Sequence, residues 1–188
     1  MKTIQIKYMI LTALFAALTA IGAFISIPMP FVPVTMQTVF VSFAAIFLGP
    51  RYGALSQIVY ISIGLLGIPV FTKGGGPSYI FQPSFGFLIG FVFAAYTMGR
   101  LMEIFQEPSF KNIFICALCG QIVIYAAGMP YLYFINNMYL NIPITFSKLI
   151  YSAFALFAVS GMFSVITVSV VSTTVYKRMK HLVYSPKN

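Results

Sequence analysis

One cation and three glycines carry most of the chemistry this chain can offer. Lys73 precedes Gly74-Gly75-Gly76, and Ser78 and Tyr79 follow within the segment 71–84. An ammonium is a compact point charge, and backbone N–H groups in a glycine-rich turn can share an anion. Consecutive glycines also let the backbone come close to a ligand. Such a set suits a carboxylate. Other reactive groupings are missing: there is no aspartate, the two acids are Glu103 and Glu107, and the one histidine is His181 near the C-terminus. Neither a Ser-His-Asp set nor a metal cluster can be assembled from these residues. Catalysis, a cofactor and a metal are therefore not expected. Cys116 and Cys119 have a redox or metal spacing, but with no second cysteine pair they are expected to be small packing residues.

The elements that must position Lys73 are apolar. Of 188 residues, 60% are hydrophobic and 7% charged. A hydrocarbon span needs about 20 predominantly apolar residues, and the stretches 7–27, 36–48, 52–68, 84–102, 111–135 and 147–176 are expected as transmembrane helices. The fold class is thus all-α, an integral membrane bundle of six helices forming one domain over 1–188. Lys2, Lys7, Arg51, Arg100, Lys111, Lys177, Arg178, Lys180 and Lys187 would fall on one side, and only Lys73 and Lys148 on the other. By the positive-inside rule both termini are then cytoplasmic. The first apolar run is too long for a cleaved signal and is expected to be retained. The net charge of +9 borders helices, where it meets lipid headgroups or a cytoplasmic partner, not nucleic acid. No Walker sequence and no intramembrane carboxylate is present, so any work must be supplied by partners. A self-sufficient ion-coupled secondary transporter of a small organic acid is the alternative, and the missing carboxylate and lack of inverted halves speak against it.

Finer features refine this picture. Ala13 and Ala17 are four apart, as are Ala16 and Ala20, so small residues share a helical face that either packs within the bundle or docks another subunit. The stretch 27–34 holds Pro28, Pro30 and Pro33 and cannot be helical; it is expected to fold partly back onto the bundle. The glycine segment is expected to form a lid, with Ile80 and Phe81 as its apolar underside. Ser84, after Pro83, is expected to cap the next helix. Gln37 stands at the outer end of the second span, Gln121 and Tyr125 lie deep and four apart, and Ser160, Gly161 and Ser164 occupy the middle of the last. These features describe an outward-facing, mostly apolar cavity for a small amphiphile bearing a carboxylate.

Phe31-Val32-Pro33-Val34-Thr35-Met36-Gln37-Thr38, Leu48-Gly49-Pro50-Arg51-Tyr52-Gly53, Gly67-Ile68-Pro69-Val70-Phe71 through Gly74-Gly75-Gly76, and Pro83-Ser84-Phe85-Gly86-Phe87 resemble the BioY family. These are the biotin-binding S components of energy-coupling factor (ECF) transporters. The resemblance implies vitamin capture from outside at a bacterial cell membrane, with a transmembrane coupling subunit docked on Ala13 and Ala17 and two ATPase subunits using ATP. The substrate-binding residues expected here are Gln37, Lys73, Gly74, Gly75, Gly76, Ser78, Tyr79, Gln121, Tyr125, Ser160, Met162 and Val165. One departure matters. The family's last helix carries a Pro-Gly-Asp stretch with a Lys three residues on; this chain has Met162 and Val165 at those places. Either Gln37, Gln121 or Tyr125 reads biotin's ureido ring, or the ligand lacks one. Lipoate shares biotin's acid tail and ends in an apolar dithiolane that Met162 and Val165 suit, which sets lipoate slightly ahead of biotin.

Overall fold

The computed structural model describes residues 2–29, 32–142 and 144–183; Pro30, Phe31 and Lys187, used above, lie outside them. Its helices are α1 (Lys2–Phe24), α2 (Gln37–Leu65), α3 (Phe85–Phe105), α4 (Phe110–Phe134), α5 (Phe146–Leu156) and α6 (Met162–Val183). A small antiparallel hairpin, β1 (Ser26–Ile27) and β2 (Val34–Thr35), links α1 to α2, pairing Ser26 with Thr35 and Ile27 with Val34. The described residues at the two ends of the proline-rich stretch thus pair with each other, as suits a segment that cannot be helical.

Helix α2 is two arms. Gly49 alone leaves the helical region, at φ +76°, and Pro50 opens the second arm, where a first-turn proline has no donor to lose. The expected break between 48 and 52 therefore shrinks to one residue. The second arm ends at Leu65, short of the expected 68, where Gly67 turns the chain at φ +106°. A π-helical turn, Ile135–Tyr139, prolongs α4, and another, Phe157–Gly161, joins α5 to α6. The last expected helix, 147–176, is consequently interrupted at Phe157–Gly161. Five helical stretches among the described residues are long and apolar enough to cross a membrane: Ile6–Phe24, Gln37–Leu65, Phe85–Phe105, Phe110–Tyr139 and Val159–Arg178. The architecture is an all-α multi-pass membrane bundle with a hairpin strap.

Contacts at the two ends fix an up-and-down course. At one end Tyr8 stacks on Tyr52 at 4.8 Å, the missing side chain of Gly99 admits Pro50, and the Tyr176 hydroxyl donates to the Ile46 carbonyl at 3.0 Å. Lys7, Arg51, Arg100, Lys111, Lys177 and Arg178 are exposed there, making this the basic end. Arg100 and Glu103 pair at 2.5 Å with both side chains about half exposed, a solvated pair of little energetic weight. At the opposite, glycine-loop end, Gly22 admits Phe40 and the start of α2, and Gly86 admits the Tyr131 ring.

Packing runs from α1 to α2, α2 to α3, α3 to α4 and α4 to α6. The main core joins α2, α3 and α4 through Tyr60, Phe87, Phe91, Met98 and Ile124. A smaller cluster joins the first arm of α2 to α4 and α6 through Val39, Ile46, Ile113, Ala117, Val165 and Val168. In lipid such contacts rest on close fit, because burying apolar surface gives no driving force between helices. Cys116 and Cys119 are free thiols on α4, and Cys116 is packed inside.

Candidate functional site

A cavity of about 50 Å³ lies inside the glycine-loop end. The hairpin supplies Val32, Pro33, Val34 and Thr35; α2 supplies Gln37, Thr38 and Tyr60; the loop before α3 supplies Thr72, Tyr79 and Ser84. Phe87, Leu88 and Phe91 of α3, Ile124 and Tyr125 of α4, and Ser160 complete the wall. A buried water needs roughly 10–15 Å³ of such space, so the cavity has room for a few waters and is closed to anything larger in this conformation.

Its polar groups form two short chains. In the first, the Thr35 hydroxyl donates to Gln37 Oε1 at 3.0 Å, Gln37 Nε2 donates to the Tyr60 hydroxyl at 2.6 Å, and Tyr60 donates to the Val70 carbonyl at 3.1 Å. In the second, the Tyr79 hydroxyl lies 3.0 Å from that of Thr72 and 3.2 Å from that of Ser84. A carboxamide carries two N–H donors, and these bonds use one from Gln37. The Thr38 hydroxyl is buried and unpartnered. The wall thus offers a few hydrogen-bonding positions in an apolar surround.

The glycine loop positions two of these tyrosines. Phe71 and Gly74 exchange backbone bonds at 2.9 and 3.1 Å, and the Gly76 N–H donates to the Gly64 carbonyl at 2.8 Å. Gly74 and Gly76 adopt φ of +102° and +109°, a region costly for residues with a side chain. Gly75 lies too close to the Ile68 carbonyl for any Cβ. Folded in this way, the loop drives Phe71 against Gly64 and inside the bundle. Its ring meets Tyr60 edge-on at 5.4 Å and Tyr79 at 4.4 Å, so one buried phenylalanine braces both tyrosines against the cavity.

Pro77–Phe81 is a 3₁₀ turn that contributes buried Tyr79 to the cavity wall. The expectation that Ile80 and Phe81 form the underside is corrected here: both are exposed. In a 3₁₀ turn successive side chains point about a third of a turn apart, and only Tyr79 faces inward. The turn is fastened from outside. The Tyr131 hydroxyl donates to the Ile80 carbonyl, and Phe81 stacks on Tyr139 at 4.6 Å. Ser84 precedes α3 but makes no capping bond; its hydroxyl is engaged by Tyr79 instead.

Of the residues expected to bind substrate, Gln37, Tyr79, Tyr125 and Ser160 line the cavity together. Lys73 is exposed beside cavity-lining Thr72, Ser78 is exposed, and Gly74, Gly75 and Gly76 are absent from the wall. Two of those glycine N–H groups are already spent, Gly74 on the Phe71 carbonyl of the loop and Gly76 on the Gly64 carbonyl of α2. Gln121 is fully buried one turn from Tyr125, Met162 is half-buried, and Val165 sits in the smaller core cluster. Sequence reasoning missed Thr38, Tyr60, Thr72 and Ser84. Thr72 and Thr38 adjoin residues that it named, whereas Tyr60 reaches the site only because the second arm of α2 folds back on the first. On α1, Ala16 is buried and Ala13 and Ala17 are exposed.

Residues 1–181 match the family model described as the BioY family. The chain belongs to the BioY family. Within it, a probable biotin transporter BioY of Lysinibacillus sphaericus is 44% identical over 169 residues, covering 90% of this chain and 86% of that one. The biotin transporter BioY of Thermotoga maritima is 36% identical over 136 residues, covering 72% and 77%. The fold is similar to that of a crystal structure of the S-component for biotin from an ECF-type ABC transporter, with a TM-score of 0.73, 23% identity and 94% of each chain covered. The up-and-down helical course described above is therefore shared with that solved S-component.

Proposed function

We propose that this chain is the substrate-binding S component of an ECF-type ABC importer and that it captures biotin from outside the cell. The observation that carries this reading is the small, mostly apolar cavity with sparse hydrogen-bonding groups, set inside a multi-pass bundle of the BioY family. Its ligand would be a small amphiphile held by shape, with a few polar atoms matched. The earlier preference for lipoate needed Met162 and Val165 to face the ligand. Neither lines the cavity, while Gln37, Thr38, Tyr79 and Ser160 do, which favours a head group that hydrogen-bonds. The names of the relatives support the same choice.

On this reading 1–188 is one domain of six spans, the two arms of α2 counting separately. The basic end with both termini is cytoplasmic, which the exposed cations there support. The glycine-loop end faces outward, placing Lys73 at the mouth near Thr72 to meet the ligand's carboxylate. The coupling subunit docks on α1, the most peripheral span, where Ala13 and Ala17 are exposed and permit close helix approach. Two ATPase subunits complete the importer. The deciding experiment is equilibrium binding of biotin, lipoate and their amides to purified protein, alongside thermal shift. Tight binding of biotin is expected; a protein that ignores both vitamins but is stabilised by another acid would sink the assignment.

A further inference from the structure

Beneath the cavity, two packed helices hold polar groups with nothing to bond. Gln121 on α4 is 1% exposed, and neither its carbonyl oxygen nor its amide nitrogen has a partner. It stands four residues from cavity-lining Tyr125, about 6 Å nearer the basic end along the helix. On α6 the same four-residue step leads from cavity-lining Ser160 to Ser164, also 1% exposed and with an unpartnered hydroxyl. The two helices pack on each other. An amide left unpaired at membrane depth is costly, since the surrounding hydrocarbon offers nothing to compensate it. The cavity as it stands admits only a few waters, so any vitamin must widen it. The unpaired donors and acceptors mark the direction in which it widens, inward past Tyr125 and Ser160.

We infer that Gln121, assisted by Ser164, is the deep hydrogen-bonding tier of the ligand site and selects a head group with an N–H donor and a carbonyl acceptor side by side, as in a cyclic urea. The inference rests on the reading of this chain as a vitamin-binding subunit. A carboxamide presents one acceptor and two donors on adjacent atoms, so it meets the N–H/C=O edge of a urea with two bonds. Ser164 supplies one more donor or acceptor. Both partners are neutral, so recognition at this depth needs no buried charge. A dithiolane has neither group and would leave the amide unpaired. The ligand then lies head inward, with its acid tail toward Thr72 and Lys73.

The test is equilibrium binding of biotin and of lipoate, which keeps the acid tail but lacks the urea, to the parent protein and to Gln121→Leu. Gln121→Met, of similar length, serves if the leucine variant folds poorly, and unliganded melting temperatures verify folding. Loss of biotin affinity by about 10- to 100-fold, with lipoate affinity unchanged or improved, is the expected result. The unliganded leucine variant should also melt no lower than the parent, because an unpaired polar group has been removed. Biotin affinity within about threefold of the parent overturns the inference. So does an equal loss for both ligands, which would mean that Gln121 only shapes the bundle. A parent protein that binds no biotin defeats the functional reading itself, and this inference falls with it.

Discussion

The ring of Phe71 fills the space that a side chain on Gly64 would need, and the same ring braces Tyr60 and Tyr79 against the cavity. Gly64→Ala should therefore push Phe71 outward, lower stability by about 1–3 kcal/mol as overpacking does, and weaken vitamin binding with it. Thermal unfolding in detergent and equilibrium binding measure both. The double variant Gly64→Ala/Phe71→Leu should regain part of the stability without regaining affinity, since the two residues share one contact.

Tyr60→Phe removes the hydroxyl that both accepts from Gln37 and donates to the Val70 carbonyl. Leaving such buried partners unmade costs roughly 1–3 kcal/mol. Affinity for biotin should fall about tenfold, chiefly because Gln37 is no longer held in register. Unchanged affinity with lowered stability would show that this chain of bonds supports the fold alone.

Lys73 is exposed, so its attraction for a carboxylate is screened by salt. Lys73→Ala should weaken binding of the free acid several-fold at low ionic strength and leave the amide untouched. The gap between parent and variant should narrow as salt is raised. Equal losses for acid and amide would assign the lysine a purely structural role in the loop.

Ala17→Trp places a large side chain on the exposed small-residue face of α1. Vitamin binding by the isolated protein should persist, because that face is remote from the cavity wall. Uptake by cells that also express the coupling subunit and the ATPases should be lost. Normal uptake would move the docking surface elsewhere on the bundle.

The bundle was legible because its determinants are local. Runs of about 20 apolar residues, prolines in the stretch 27–34 and the break at Gly49-Pro50 each act within one segment. The site was legible only where it coincides with such signals. Gln37 and Tyr79 stood out as polar groups beside unusual backbone, and both line the cavity. Tyr60 did not, since it enters the wall through an arm that folds back after a one-residue turn. Lys73 drew attention as the lone outer cation near the glycines, yet those glycines serve to seat Phe71. Their use depends on Gly64, seven residues before the loop's first buried ring, a pairing that no single-segment pattern displays. Val165 was named because it stands where the family's last helix carries a Lys; in the structure it packs in the smaller core cluster.

The fastening of the 3₁₀ turn has a consequence for time, not for strength. If the turn has to lift for a ligand to leave, Tyr131 must release the Ile80 carbonyl and Phe81 must slide off Tyr139. The holding time would then follow the lifetime of two contacts outside the cavity wall. Residence and affinity would be separately adjustable, and a carrier that must hold its load until a motor arrives would gain a clock at its glycine-loop end.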